Sequence, residues 1–174
     1  MSTLAALPTR VIRKVKKILG VQQPPNLRRR VAYEYIQGAG IEIGALHAPL
    51  KIPRKATVTF VDRFPASELN SHYPELGKLK FRVDVVDDGE TLAKFQPASQ
   101  DFIIANHFLE HAQDPIRTIK RHLEVLKQGG VLFMAVPDKA CTFDVRREPT
   151  TIEHFRRDHQ EGPAWSYDAH VDEY

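Results

Sequence analysis

The chain has 174 residues, 42% of them hydrophobic and 27% charged, the balance of one globular domain and not of a disordered segment. A single cysteine, Cys141, excludes an intrachain disulfide framework and a four-cysteine zinc site. No apolar run approaches the roughly 20 residues that cross a bilayer, and MSTLAALPTRV lacks the basic-then-apolar order of a secretion signal, so the expected location is the cytoplasm.

The net charge of +3 is unevenly spread. Residues 1–30 hold eight basic residues and no acid, which leaves 17 basic against 22 acidic in the remainder. Such a body is a poor nucleic-acid binder, because those domains spread a basic footprint over the folded surface. Within the basic end, Val11, Ile12, Val15, Ile18 and Leu19 recur at helical spacing between Arg13, Lys14, Lys16 and Lys17, and Gly20 follows. This predicts a basic amphipathic helix. The readings are a helix packed on its own domain with a solvated basic face, or one that touches an anionic membrane surface or an acidic partner; nucleic acid is the least favoured, since no aromatic residue interleaves the charges. Pro24 and Pro25 mark a linker into the body.

The body alternates helices and strands. A helix over Arg29–Gln37, with Val31, Tyr35 and Ile36 inward, closes at Gly38. Short strands follow at Ile41–Ile43, at Thr57–Val61, around Phe81 and Val83, at Phe102–Ala105 and at Val131–Val136. Only twelve residues separate Gly44 from Thr57, and they include Pro49 and Pro53, so the first crossover holds at most a turn or two of helix. Between the last two strands lies the clearest helix. Asp114 caps it, Pro115 opens it, Ile116, Ile119, Leu123 and Leu126 form its inner stripe, and Gly129 and Gly130 stop it. Past Pro137, Thr150 and Glu153 read as a capping box opening a helix to about His159, with Ile152 and Phe155 inward, and no strand signal follows. Short, uniformly apolar strands require a parallel sheet covered on both faces. The fold class is α/β: a doubly wound, mostly parallel, Rossmann-like sheet.

In such sheets ligands bind outside the carboxyl ends of the strands, and polar residues recur there. Glu42 lies in the first strand with Gly44 at its end, Asp62 ends the second, Asp84 follows the third and Asn106 the fourth. A carboxylate after the second strand suits a ribose diol, since it accepts two hydroxyl hydrogens. Gly44 lets a backbone approach a ligand closely, and Asp84 is able to accept from an exocyclic amine.

These motifs resemble the class I S-adenosylmethionine-dependent methyltransferases, in particular the small-molecule group related to ubiquinone and sterol methyltransferases. IEIGALHAP resembles their first motif, VDRF the second, RVDVVDDGETL the third, and DFIIANHFLEHAQDP with LKQGGVLFMAVP the fourth and fifth. The resemblance implies S-adenosyl-L-methionine as cofactor, held by Glu42, Gly44, Ala45, Asp62, Arg63, Asp84, Val85 and Asn106. It implies residues 1–27 as arm and linker, and 28–174 as the domain with its core at 38–137. PDKACTFDVRREPTTIEHFRRDH is similar to a subgroup associated with sugar and cell-surface glycan pathways, which implies a sugar or lipid-linked precursor as acceptor. The family's sheet has seven strands; here the final hairpin has no candidate, and the expectation is a fragment of a longer protein. Leu46 and Ala48 stand where the family's loop carries glycines, and Leu46 resists the positive φ that glycine allows. Lacking those glycines, the loop does not suit a dinucleotide pyrophosphate.

Methyl transfer from a sulfonium needs orientation more than acid–base chemistry, but a hydroxyl acceptor gains from a base. His107 and His111 are the candidates. Their spacing is not that of HExxH, because Glu110 adjoins the wrong histidine, and no metal is expected there. His154, Asp158 and His159 share a helix face and read as acceptor-binding or solvated. Two alternatives stay open: a non-catalytic cofactor- or partner-binding protein on this fold, and a nucleic-acid methyltransferase.

Overall fold

The computed structural model of the chain describes residues 27–74 and 82–167. The amphipathic segment at 11–19, Phe81 and His170 lie outside the described residues. Four α-helices are described: α1 (Leu27–Tyr35), α2 (Ala66–His72), α3 (Pro115–Val125) and α4 (Ile152–Glu161). Five strands, β1 (Ala39–Ile43), β2 (Thr57–Asp62), β3 (Val85–Val86), β4 (Gln100–Asn106) and β5 (Leu126–Ala135), form one sheet in the order β3-β2-β1-β4-β5. Every pairing is parallel. The order reverses between β1 and β4, the switch point at which doubly wound sheets open a crevice. No sixth or seventh strand follows β5 among the described residues, and no helix among them is long and apolar enough to cross a membrane.

Successive side chains of β4 feed two cores. Phe102 and Ile104 pack with Ala32 of α1, Ile36 just after it, Phe133 of β5, and Leu50 and Ile52 of the first crossover. Ile103 and Ala105 pack on the other face with Ile41, Ile43, Val61, Leu92 and Val125. Burial on both faces is why the strand is apolar without alternation. The inward residues are Ala32 of α1 and Ile36 just past its end, four apart, whereas Tyr35 points to solvent, contrary to the expected face. The first crossover, residues 44–56, contains no helix, as its prolines require.

α3 starts as the sequence predicts: Asp114 Oδ1 accepts the Arg117 N–H at 2.8 Å, and Pro115 occupies the first turn. Its inner face is different. Thr118, His122 and Val125 are buried, Ile116 and Ile119 are half-buried, and Leu123 is 56% exposed, so the packed face is rotated from the expected stripe. The polar side chains go inward because the loop after β3 meets them. His122 Nε2–H donates to Gly89 O at 2.8 Å, Thr118 Oγ1–H to the Glu90 carboxylate at 3.3 Å, and Arg121 to the carbonyls of Thr91, Leu92 and Phe95. The helix ends at Val125. Gly129, at φ +78, is not its cap but belongs to an irregular stretch within β5 that shifts the register against β4.

α4 is capped by Thr151, whose Oγ1 accepts the His154 N–H at 3.2 Å, one residue later than the expected box. Ile152 is exposed, because polar bonds and not an apolar stripe hold this helix. Asp158 is buried against Ser166 Oγ at 3.0 Å. His159 lies 3.0 Å from Asp114 Oδ2 and 2.9 Å from Lys120 Nζ, which ties α4 to the start of α3.

Candidate active site

Register sets the strand ends level. Ile43 pairs with Val61, which pairs with Val85, so Gly44 stands beside Asp62. Glu42 pairs with Ile104, so Gly44 also stands level with Asn106. At about 4.8 Å per strand, the row from Val86 through Asp62 and Gly44 to Asn106 spans roughly 14 Å across the switch point.

Gly44 has φ +61, donates its N–H to Val61 O at 2.9 Å, and has nothing within 4 Å of where a Cβ would stand. Ala45 follows it, half-buried. Leu46 also takes the left-handed conformation, φ +44, despite its Cβ; the expected resistance is overcome at a cost of roughly 1–2 kcal/mol. The turn is closed by the Ala48 N–H on Ala45 O at 3.0 Å. Glu42 lies below the rim and is 2% exposed. Its two oxygens face the Leu50 N–H at 2.9 and 3.2 Å, so it stitches the crossover loop onto the sheet where a helix would otherwise pack. Burial pushes its pKa up to about 7 against the opposing effect of that N–H.

Asp62 is half-buried at the end of β2, with Oδ1 accepting the Phe64 N–H at 3.2 Å. Burial raises its pKa, opposed by the Phe64 and Arg63 N–H groups and by the charges of Arg63 and His72. Arg63 reaches Asp88 Oδ2 at 3.3 Å and bridges the ends of β2 and β3. Asn106 ends β4, and its Oδ1 is buried without a hydrogen-bond partner among the described residues.

Asp84 is not at this rim. The third strand begins after it, at Val85, and Asp84 sits opposite Phe60, at the entry to the strand. Its carboxylate is occupied by the Phe60 N–H and by Arg82 Nε, each at 2.9 Å. Burial works to raise its pKa, but these two partners outweigh it and lower it. The acids at the carboxyl end of β3 are Asp87 and Asp88. Asp87 accepts the N–H groups of Asp88 and Lys94, each at 2.9 Å, and Asp88 Oδ1 accepts that of Glu90 at 2.7 Å. The strand lies just beyond the expected one around Phe81 and Val83, and the DDG turn at residues 87–89 marks its end. Val85 is inside the strand, packed toward the core.

His107 follows Asn106 directly, with its ring between Arg28 and Glu110. His111 is exposed on the turn Leu109–His111. His154 and His159 do not act together: the first faces Asp158 and Trp165, the second Asp114 and Lys120. Among the described residues no three His, Cys, Asp or Glu side chains are grouped to hold a metal.

Residues 27–173 match the profile of a family described as "Methyltransferase domain". The chain is 31% identical over 129 residues to the "Ubiquinone biosynthesis O-methyltransferase" of Xanthomonas euvesicatoria pv. vesicatoria, covering 67% of this chain and 53% of that protein. The chain thus spans about half the length of this curated relative. A SAM-dependent methyltransferase structure from Aquifex aeolicus superposes with a TM-score of 0.41 at 15% identity, over 64% of this chain and 66% of that one. One from Leishmania major gives 0.43 at 13%, over 71% and 48%. Those two superpositions are too loose to transfer any residue's role.

Proposed function

The chain belongs to the methyltransferase-domain family, and from that premise we propose that it transfers a methyl group from S-adenosylmethionine to an oxygen of a small-molecule acceptor. One observation carries this: Asp62, Gly44 and Asn106 stand side by side at the switch point, and Asn106 Oδ1 is buried without a partner. A buried acceptor left unpaired is costly, and the ammonium group of the donor would satisfy it. The Asp62 carboxylate would accept from the ribose hydroxyls, the open space at Gly44 would admit the donor against the backbone, and the Asp87–Asp88 turn, in place of Asp84, would meet the adenine. Glu42 would act by fixing the path of the loop beside the methionine end.

The sulfonium methyl of the bound donor is already electrophilic, because its sulfur leaves neutral. The chain's own residues therefore bind, orient and exclude water. His107, next to Asn106, is the group that takes the proton of the acceptor hydroxyl. The name of the curated relative supports an oxygen acceptor. The likeness of residues 137–159 to the glycan-associated subgroup supports a sugar or lipid-linked precursor.

Calorimetric titration with S-adenosylhomocysteine tests the donor site. Saturable binding is expected, weakened about 10- to 100-fold in Asp62→Ala by loss of charged hydrogen bonds; a folded full-length protein that does not bind overturns the proposal. Transfer of labelled methyl to a panel of hydroxylated acceptors then tests turnover. A second reading, donor binding without turnover, is favoured by the helix-free crossover at residues 44–56; donor binding with no methylated product from any acceptor selects it.

A further inference from the structure

His107 has φ +52, a left-handed backbone on a residue with a Cβ. Such a conformation is strained and persists where the surroundings hold it. The surroundings are two charged side chains from separate parts of the fold. His107 Nδ1 is 3.2 Å from Oε1 of Glu110, three residues on. His107 Nε2 is 3.1 Å from a terminal nitrogen of Arg28, in the first turn of α1 and 79 residues away in the chain.

The partners fix the proton. A guanidinium only donates, and an ionised carboxylate only accepts. Nδ1–H therefore donates to Glu110, and the lone pair of Nε2 accepts from Arg28. The lone pair that a base needs is thus covered by a cation. If Nε2 took a proton with Arg28 still in place, two positive groups would stand 3.1 Å apart.

We propose that Arg28 recognises an anionic group, phosphate or carboxylate, on the methyl acceptor, and that binding this group uncovers His107 Nε2, while Glu110 is the positioning residue that keeps Nδ1 protonated and the ring aimed. The assignment rests on the methyl-transfer function proposed above. Among the described residues no carboxylate pairs with Arg28; its partner is the His107 ring. Phosphate or carboxylate takes two parallel N–H groups of an arginine with charge assistance, each bond about twice as strong as a neutral one, so an anion within reach displaces the ring. The acceptor's O–H proton then passes to Nε2 as its oxygen pair forms the bond to the methyl carbon and the methyl–sulfur pair returns to sulfur. The imidazolium is stabilised by Glu110, and the positive charge of Arg28 is balanced by the bound anion.

The test is nitrogen-resolved NMR of the histidine rings in the full chain saturated with S-adenosylhomocysteine, titrated with phenyl phosphate, with benzoate and with neutral phenol. Before addition, His107 is expected to carry its proton on Nδ1 with a hydrogen-bonded Nε2. At least one of the two anions should move Nε2 to the position of a free lone pair, and the one that does identifies the anion; phenol should not. In Arg28→Gln, Nε2 should start free, stay unresponsive, and bind the anion about tenfold or more weakly, and Arg28→Lys should restore part of the response. In Glu110→Gln saturated with the anion that uncovers Nε2, part of the population should move to the Nε2–H tautomer. An unresponsive wild type, an equal response in Arg28→Gln, or an unchanged tautomer in Glu110→Gln would overturn the proposal. Because S-adenosylhomocysteine binding is measured separately, its loss indicts the methyl-transfer reading, and its retention without an NMR response indicts Arg28 alone.

Discussion

Replacing Glu42 by Gln isolates the electrostatics of the first crossover. Burial raises the Glu42 pKa from 4.5 to about 7 while both oxygens face the Leu50 N–H. A folded-state pKa above the unfolded value means that the native protein binds the extra proton. The stability from this group is complete below about pH 4.5 and is lost as pH rises to 7. A rise of about two and a half units at about 1.36 kcal/mol each amounts to roughly 3 kcal/mol. Gln keeps an oxygen for Leu50 but buries an amide that lacks an acceptor, a cost of about 1–3 kcal/mol that does not depend on pH. The assay is urea unfolding by circular dichroism of both proteins at about pH 4.5 and about pH 8.5. The stability difference should move in favour of Glu42→Gln by roughly 3 kcal/mol between those conditions. A difference constant to within about 1 kcal/mol would refute the buried, uncompensated carboxyl, whatever its sign.

His122 should show the opposite dependence. Burial lowers its pKa, so the unfolded chain takes up a proton first and stability falls as pH drops below the ordinary value of 6.5; unfolding of His122→Phe should lack this acid-side loss, and an identical slope would count against a neutral buried ring. Leu46→Gly ordinarily costs about 0.5–1 kcal/mol of chain entropy, but relief of the left-handed strain at φ +44 should leave stability nearly unchanged by thermal melting. Asp114→Ala removes a cap that also holds His159 and Arg117, and should cost about 1–3 kcal/mol in a denaturant titration. An effect under about 0.5 kcal/mol would show that α4 is held by other means.

The sequence by itself determined the α/β alternation, the parallel sheet, the capped start of α3 and a first crossover with room for no more than a turn or two of helix. Each follows from local chemistry: apolar runs, Asp-Pro at a helix start, prolines in a twelve-residue connection. It also placed Gly44, Asp62 and Asn106 at strand ends, because a long apolar strand leaves little choice about where it stops. The tertiary structure decided the rest. β3 pairs through only two residues, too few to set their own phase, and its hydrogen bonds to β2 put Asp87 at the rim and turned Asp84 onto the Phe60 N–H. The buried face of α3 follows Thr118 and His122, whose polar atoms are satisfied by a loop about 30 residues earlier, and no helical periodicity records that partner. Arg28 and His107 lie 79 residues apart, and only packing of α1 across β4 and β5 brings the guanidinium to the ring.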